Sequence, residues 1–278
     1  MRIRMDLAYE GTDFHGWASQ PGLRTVQGTL EAALATLLRV PSVAVVCAGR
    51  TDTGVHARGQ VTHLEVDEDT LAGAAGRSGQ PLPEVLLPRL NGILPPDVRV
   101  RSVAAAPLGF DARFSALWRR YCYRIADRAG SVDPLARRQV LAWPRPLDLE
   151  AMNDASAALL GEHDFASFCK RREGATTIRT LLELGWDRDP DGLAVATVRA
   201  DAFCHSMVRS LVGCLLAVGE GRRPAAWASE ILRAAARDPA VTVVHAHGLT
   251  LEEVRYPPDD ELAARAAQTR TTRVARHR

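Results

Sequence analysis

Reactive side chains are most concentrated in one stretch, Cys47-Ala48-Gly49-Arg50-Thr51-Asp52-Thr53-Gly54-Val55-His56-Ala57, where an apolar run meets a carboxylate bracketed by Gly49 and Gly54. Glycines at such a point let a ligand or another backbone approach closely. If Arg50 to Asp52 is extended, both side chains project to one face, because strand side chains repeat every second residue. The guanidinium then favours ionised Asp52, and a carboxylate held in that way can be a nucleophile, a general base or a structural ion pair. A plain turn is the competing reading of Gly-Arg-Thr-Asp. Asp52 and His56 are both plausible metal ligands, but two are too few, and His15, His63, His163 and His205 are scattered, so no metal is expected. The sequence has no G-x-S-x-G elbow, no P-loop and no G-x-G-x-x-G fingerprint, which disfavours serine-nucleophile and nucleotide-cofactor chemistry.

A second charged residue stands out by its surroundings. Arg209 lies among Val208, Leu211, Val212 and Leu215, a run too apolar to leave a guanidinium unpaired. It requires either a buried anion or a path to the surface. The chain as a whole has 35 Lys and Arg against 33 Asp and Glu, a net charge of +2 that announces no nucleic-acid binder. The distribution says more. Arg113, Arg119, Arg120, Arg124 and Arg128 face only Asp127, and from Arg265 onward there are arginines and no acid. Lys170 is the sole lysine, so the positive charge is almost wholly guanidinium, the planar group suited to phosphate. Arg119, Arg120, Arg124, Lys170, Arg171 and Arg172 together would make a basic track, or else an ordinary solvated face.

The elements that must position these residues follow from periodicity. Ile3 to Tyr9 alternates as a half-buried strand, and Thr25 to Leu38 places Val26, Leu30, Leu34 and Leu37/Leu38 on one helical stripe closed by Pro41. Val43 to Cys47, Gln60 to Val66 and Val98 to Val103 read as strands, with a helix at Leu86 to Gly92 between Gly and Pro residues. The order then repeats. Tyr121 to Ile125 is a strand, Asp148 to Leu160 an amphipathic helix, and Thr180 to Asp187 pairs with Leu193 to Asp201 around Asp189-Pro190-Asp191-Gly192. A buried helix, Ser206 to Val218, precedes a surface helix, Pro224 to Ala235, and a last strand, Leu249 to Tyr256. The economical solution is α+β, two similar halves, each a sheet backed by helices. The expected boundaries are 1–106, 107–258 and a basic tail, 259–278, that frays after Leu262.

Composition bounds the rest. With 46% apolar and 24% charged residues, the composition disfavours both wholesale disorder and a membrane protein. Leu211 to Val218 is the best apolar run, fenced by Arg209 and Glu220 and far short of the roughly 18 residues of a membrane span. The opening Met1-Arg2-Ile3-Arg4-Met5-Asp6 has no apolar signal core, so a cytoplasmic address is expected. Five scattered cysteines without a C-x-x-C pair argue against a disulfide framework or a zinc ribbon and read as buried thiols.

The Gly49 to Ala57 string resembles the G-R-T-D-x-G-V-H-[AG] signature of the tRNA pseudouridine synthase A family. Tyr9-Glu10-Gly11-Thr12-Asp13-Phe14-His15-Gly16-Trp17 is similar to the family's Y-[DE]-G-x-x-[FY]-x-G-W opening, and Thr25 to Glu31 to its [ST]-V-Q-x-x-L-E helix start. Asn91 to Pro95, Phe110-Asp111-Ala112-Arg113-Phe114-Ser115-Ala116 and Arg120-Tyr121-Cys122-Tyr123 resemble its N-x-x-L-P, F-x-A-R-F-S-A and R-Y-x-Y blocks. Gly161 to Phe168, Phe203 to Arg209 and Gly248-Leu249 carry the likeness to about Pro257. Three features depart from the pattern: Ala18 replaces a usual glutamine, Leu71 to Pro88 is longer than typical, and Thr250 stands where a larger apolar residue is common. These bear on peripheral RNA contacts or dimer packing.

The resemblance implies two ferredoxin-like halves forming one extended mixed sheet with a central catalytic cleft. It implies conversion of uridine to pseudouridine at positions 38 to 40 of the tRNA anticodon stem-loop, with no cofactor, by a homodimer. Asp52 is then the nucleophile and Arg209 the partner that keeps it charged. Tyr121 packs on the base and removes its C5 proton; without the family match, Tyr123, on the same strand face, would be an equal choice. Arg50 enters the RNA stem near the displaced nucleotide, with Phe110 and Arg113 as further candidates for that wedge and for phosphate contact. Core packing is the competing account of Phe110. Two rivals remain at this level: a module that binds structured RNA without altering it, and a metal-dependent hydrolase built on Asp52 and His56.

Overall fold

The computed structural model describes residues 1–75, 82–170 and 176–270. Seven α-helices and ten strands occur among them, an α+β chain as the periodicity requires. It divides into two compact units, Met1–Leu117 with the segment that returns at Leu251, and Trp118–Thr250.

In the first unit, β1 (Arg2–Tyr9) buries alternate residues, and its inward side chains are Ile3, Met5, Leu7 and Tyr9. It pairs antiparallel with β3 (His56–Glu65) and with β4 (Val98–Ala105). Short β2 (Val45–Cys47) runs antiparallel along Thr62 to Leu64 of β3, and β10 (Leu249–Arg255) also adjoins β3. At that junction Gly59 lies against the backbone of Glu252, where a β-carbon would collide with the Glu252 carbonyl.

Three helices, α1 (Val26–Leu38), α2 (Glu68–Ala75) and α3 (Leu82–Ile93), cover one face. Leu34, Leu38, Leu71, Leu86 and Leu90 meet Ile3, Met5, Leu64 and Val103 around one apolar space. Full burial of a leucine such as Leu30 contributes about 1.5–3 kcal/mol. Helix α1 starts where Thr25 accepts the Gly28 amide at 3.2 Å and stops where Arg39 turns left-handed, φ 55°. The Glu31 carboxylate accepts the Val45 amide at 3.0 Å and so ties α1 to β2. Helix α3 begins four residues before the expected Leu86, because Pro83 sits in a first turn that lacks amide partners anyway.

The other sheet face carries the 107–116 segment. Phe110 is wholly enclosed by His63, Tyr256 and the Arg4 guanidinium. Burial holds His63 below the usual histidine value, consistent with its Nδ1 accepting the Ala112 amide at 3.0 Å. Tyr256 donates its hydroxyl to the Ala112 carbonyl at 2.6 Å.

The segment expected to fray after Leu262 contains a helix, α7 (Leu262–Arg270). Leu262 and Ala266 are one turn apart and buried, and Arg270 pairs with Asp111 at 2.9 Å. The rest of that basic end, 271–278, lies outside the described residues.

In the second unit, β5 (Trp118–Ala126), β9 (Ala194–Ala200), β8 (Ile178–Arg188) and β7 (Gly161–Asp164) follow one another as antiparallel neighbours, and β6 (Leu141–Ala142) adds to β5 in parallel. The β8–β9 hairpin turns where the sequence places it. Gly192, at φ +78°, donates to the Asp189 carbonyl at 3.0 Å. Helix α4 (Leu149–Ala157) is locked to β8 by Asn153, which accepts the Trp186 amide at 2.8 Å and donates to its carbonyl at 2.9 Å. Helix α5 (Met207–Gly219) is buried along almost its whole length, and α6 (Ala226–Ala234) buries one stripe, Trp227, Ala228, Ile231 and Leu232.

The cysteine reading needs one correction. Cys169 and Cys204 form a disulfide, with α-carbons 5.8 Å apart, whereas Cys47, Cys122 and Cys214 are buried thiols. Their separation of 35 residues hid the pairing, since chain spacing does not reveal which loops fold together.

Candidate active site

Residues 48–55 form the connection between β2 and β3, and neighbouring elements hold it almost atom by atom. The Ala48 amide donates to Val61 at 2.8 Å, Trp17 donates its amide to the Thr51 carbonyl at 3.0 Å, and the Val55 amide closes a turn on the Asp52 carbonyl at 3.1 Å. The first comes from β3, the second from the segment after β1, and the third lies within the connection itself. In the segment after β1, Gly16, at φ +86°, lies against Thr51, Asp52 and Thr53, and a β-carbon on Gly11 would collide with the Val55 carbonyl. That close approach explains the glycines at both positions.

Side chains complete the clamp. The Tyr9 phenol lies 2.8 Å from Thr51 Oγ1. Gln60, with no exposed surface, donates its amide to the Tyr9 oxygen at 3.2 Å and to the Gly49 carbonyl at 2.8 Å. His56 is buried, its Nδ1 accepting the Gly11 amide at 2.9 Å with a Glu10 carboxylate oxygen 3.4 Å away. Among the described residues no group of three or more His, Cys, Asp or Glu side chains could hold a metal ion. On this scaffold Thr51 is buried, Asp52 half-buried and Arg50 exposed.

Phe110 and Arg113 belong to the same unit. Phe110 has no exposed surface, whereas Arg113 is exposed with its guanidinium 5.0 Å from the Phe114 ring centre.

Tyr121 and Arg209 belong to the second unit. Tyr121 stands on β5 opposite Val198, and its ring meets Phe203 edge-on at 5.1 Å. Tyr123, on the same face, donates its hydroxyl to the His245 carbonyl at 2.6 Å. Burial pushes its phenol well above the usual tyrosine value, partly offset by Arg209. Arg209 sits half-buried in the first turn of α5, donating Nε–H to the Val244 carbonyl at 2.7 Å. Its helix starts at Ser206, a non-glycine residue in the left-handed region, φ 64°, which costs on the order of 1 kcal/mol and persists only where neighbours enforce it.

Of the expected basic track, Arg119 is buried and donates to the Asp201 carbonyl at 2.7 Å, so it serves the fold. Arg120 and Arg124 are half-buried and Lys170 is exposed. Arg171 and Arg172 lie outside the described residues. Sequence reasoning assigned no part to Tyr9, Thr51, Gln60 or Phe203 beyond motif membership. Gln60 reads only as a strand position and Tyr9 as a strand end that opens a motif, although a tyrosine and a glutamine on buried strand faces are signals that a polar partner must exist.

The model of one protein family, described as tRNA pseudouridine synthase, matches residues 7–115 and 155–257. The first stretch contains Asp52 and the second Arg209, while β5, with Tyr121, lies between the two. The chain belongs to this family and is an enzyme of the isomerase class. The tRNA pseudouridine synthase A of Frankia casuarinae is 58% identical over 274 residues, 99% of this chain and 96% of that one. Its counterparts in Streptomyces griseus and Mycobacterium leprae are 59% and 54% identical, covering 99% and 98% of this chain and 94% and 96% of their own lengths.

Proposed function

We propose that this chain converts uridine to pseudouridine in the anticodon stem-loop of tRNA, at positions 38 to 40, with Asp52 as the nucleophile. The observation that carries the reading is the connection between β2 and β3. It presents a half-buried carboxylate and an exposed guanidinium, Arg50, on a backbone clamped by three other segments. A catalyst needs its nucleophile held near one geometry, since a displacement of about 1 Å can cost ~100-fold in rate.

In the proposed reaction the Asp52 carboxylate attacks the target uridine and the bond between N1 and the sugar C1′ breaks. The base turns, C5 joins C1′, the enzyme–substrate bond is released and the C5 proton passes to N1 through a base and solvent. Nothing is gained or lost overall, so the step requires no redox partner or leaving group. Tyr121 supplies the flat face and the phenol that takes the C5 proton, and Arg209 a positive charge for substrate binding. Arg50 fills the stack vacated by the extruded nucleotide, at a cost of a few kcal/mol for extrusion. Arg113 contacts phosphate, while Phe110 supports that loop from within the fold. The active species is a homodimer in the cytoplasm.

The test is incubation of uridine-labelled tRNA with purified protein and no additive, followed by nucleoside mapping. Pseudouridine confined to positions 38 to 40 is expected. Asp52→Ala should abolish conversion and leave tRNA binding within about threefold. Conversion by that variant would overturn the nucleophile, and binding without conversion by the native protein would favour a passive RNA-binding module.

A further inference from the structure

The connection that bears Asp52 is held from inside the fold by hydroxyl and amide groups that the proposed reaction does not use. Tyr9 closes β1, has 4% of its surface exposed, and reaches 42 residues ahead to Thr51, the residue immediately before Asp52. Gln60 approaches from β3 and bridges two points, the Tyr9 oxygen and the Gly49 carbonyl. The Gln60 carboxamide spends both amide hydrogens in this way, and its oxygen accepts the Val61 amide at 3.2 Å.

The directions of these bonds follow. Gln60 occupies one lone pair of the phenol, and the phenolic proton of a buried tyrosine needs an acceptor, which Thr51 Oγ1 supplies. Burial raises the Tyr9 phenol far above its ordinary value, so it stays a donor throughout the pH range in which RNA is handled. The chain Gln60–Tyr9–Thr51 therefore pins the backbone on both sides of Arg50 and directly ahead of Asp52.

We propose that Tyr9, Gln60 and Thr51 are positioning residues for the Asp52 carboxylate, a buried hydroxyl–amide brace that aims the nucleophile without touching RNA. The inference rests on the reading of Asp52 as nucleophile and goes beyond it, because it assigns to β1 and β3 a share of the rate. Each group acts through the same backbone segment, so losses within the brace should not multiply.

The decisive experiment is a double-mutant cycle on Tyr9→Phe and Thr51→Val, with single-turnover and steady-state rates on tRNA and a melting temperature for every variant. Each single change should lower kcat about tenfold with KM within about twofold, and the pair should be no slower than the worse single. Thr51→Ser, which keeps the hydroxyl, should restore kcat to within about threefold of the native enzyme.

A native kcat in Tyr9→Phe and Thr51→Val with only a lower melting temperature would overturn the brace and leave a structural hydrogen bond. Rate losses that multiply would overturn it as well. Should Tyr9→Phe fail to fold, the Thr51→Val and Thr51→Ser pair makes the same comparison. Asp52→Ala in the same assay separates the two readings. Turnover by Asp52→Ala removes the nucleophile itself, whereas an inert Asp52→Ala beside a fully active Thr51→Val removes the brace alone.

Discussion

Two tyrosines on one strand face, 121 and 123, are equal candidates by period and type, and their surroundings separate them. Tyr123 spends its hydroxyl on the His245 carbonyl, and Gly248 packs so tightly on its ring that a β-carbon there would clash. A phenol so engaged, with its acidity suppressed by burial, is a poor proton acceptor near neutral pH. Tyr121 lies edge-on to Phe203, a residue of the block that also contains Arg209. Tyr123→Phe should therefore cost about 1 kcal/mol of stability with kcat unchanged. Tyr121→Phe should leave the melting temperature in place and reduce kcat by about 100-fold or more. Denaturation curves and single-turnover rates on the two variants check both halves of the statement, and the reverse pattern would exchange the roles.

At the scale of elements, the second unit depends on charged groups that periodicity does not reveal. Asp127 has no exposed side-chain surface, and it accepts two bonds from Arg188 and the Leu147 amide at 2.8 Å. Burial by itself would raise its carboxyl, but Arg188 and the amide outweigh that and hold it below the usual carboxylate value. The pair joins the end of β5 to the end of β8 and to the approach to α4. A group whose folded value is depressed contributes stability that is complete above the unfolded value and lost as the pH falls through the folded one. Asp127→Asn should thus destabilise the protein by about 3 kcal/mol at neutral pH, since it leaves Arg188 without its counter-charge. The gap between native and variant melting temperatures should narrow on acidification below about pH 4. A gap independent of pH would show that the pair contributes packing rather than charge.

At the scale of the whole molecule, the near-balance of 35 cations and 33 anions means that RNA affinity must come from arrangement, not net charge. Arg50, Arg113 and Lys170 are exposed, whereas Arg119 and Arg188 are committed inside the fold. Affinity for tRNA should fall steeply with salt, with a log–log slope of about −0.7 to −0.9 for each phosphate neutralised. Arg113→Ala should make that slope shallower by about one contact, and Asp52→Ala should leave it unchanged. Filter-binding or anisotropy titrations between about 50 and 200 mM salt are sufficient, and a flat salt dependence would remove phosphate contact as the source of binding.

Local pattern carried the reading of this protein a long way. Alternation in residues 3–9 and 98–103 and the stripes of α1, α4 and α5 are properties of neighbouring residues, so strands, helices and the α+β class were legible before any contact was known. The Gly49 to Ala57 string was legible for the same reason, because its chemistry is contiguous. Tertiary structure alone decided what depends on distant chain segments meeting. Tyr9 against Thr51, Cys169 bonded to Cys204, Gly59 under Glu252, Arg188 on Asp127 and the ordered helix α7 all arise from residues that chain order keeps apart. The physical reason is that burying a polar group requires a partner, and periodicity states which face is buried but not which group will be waiting there.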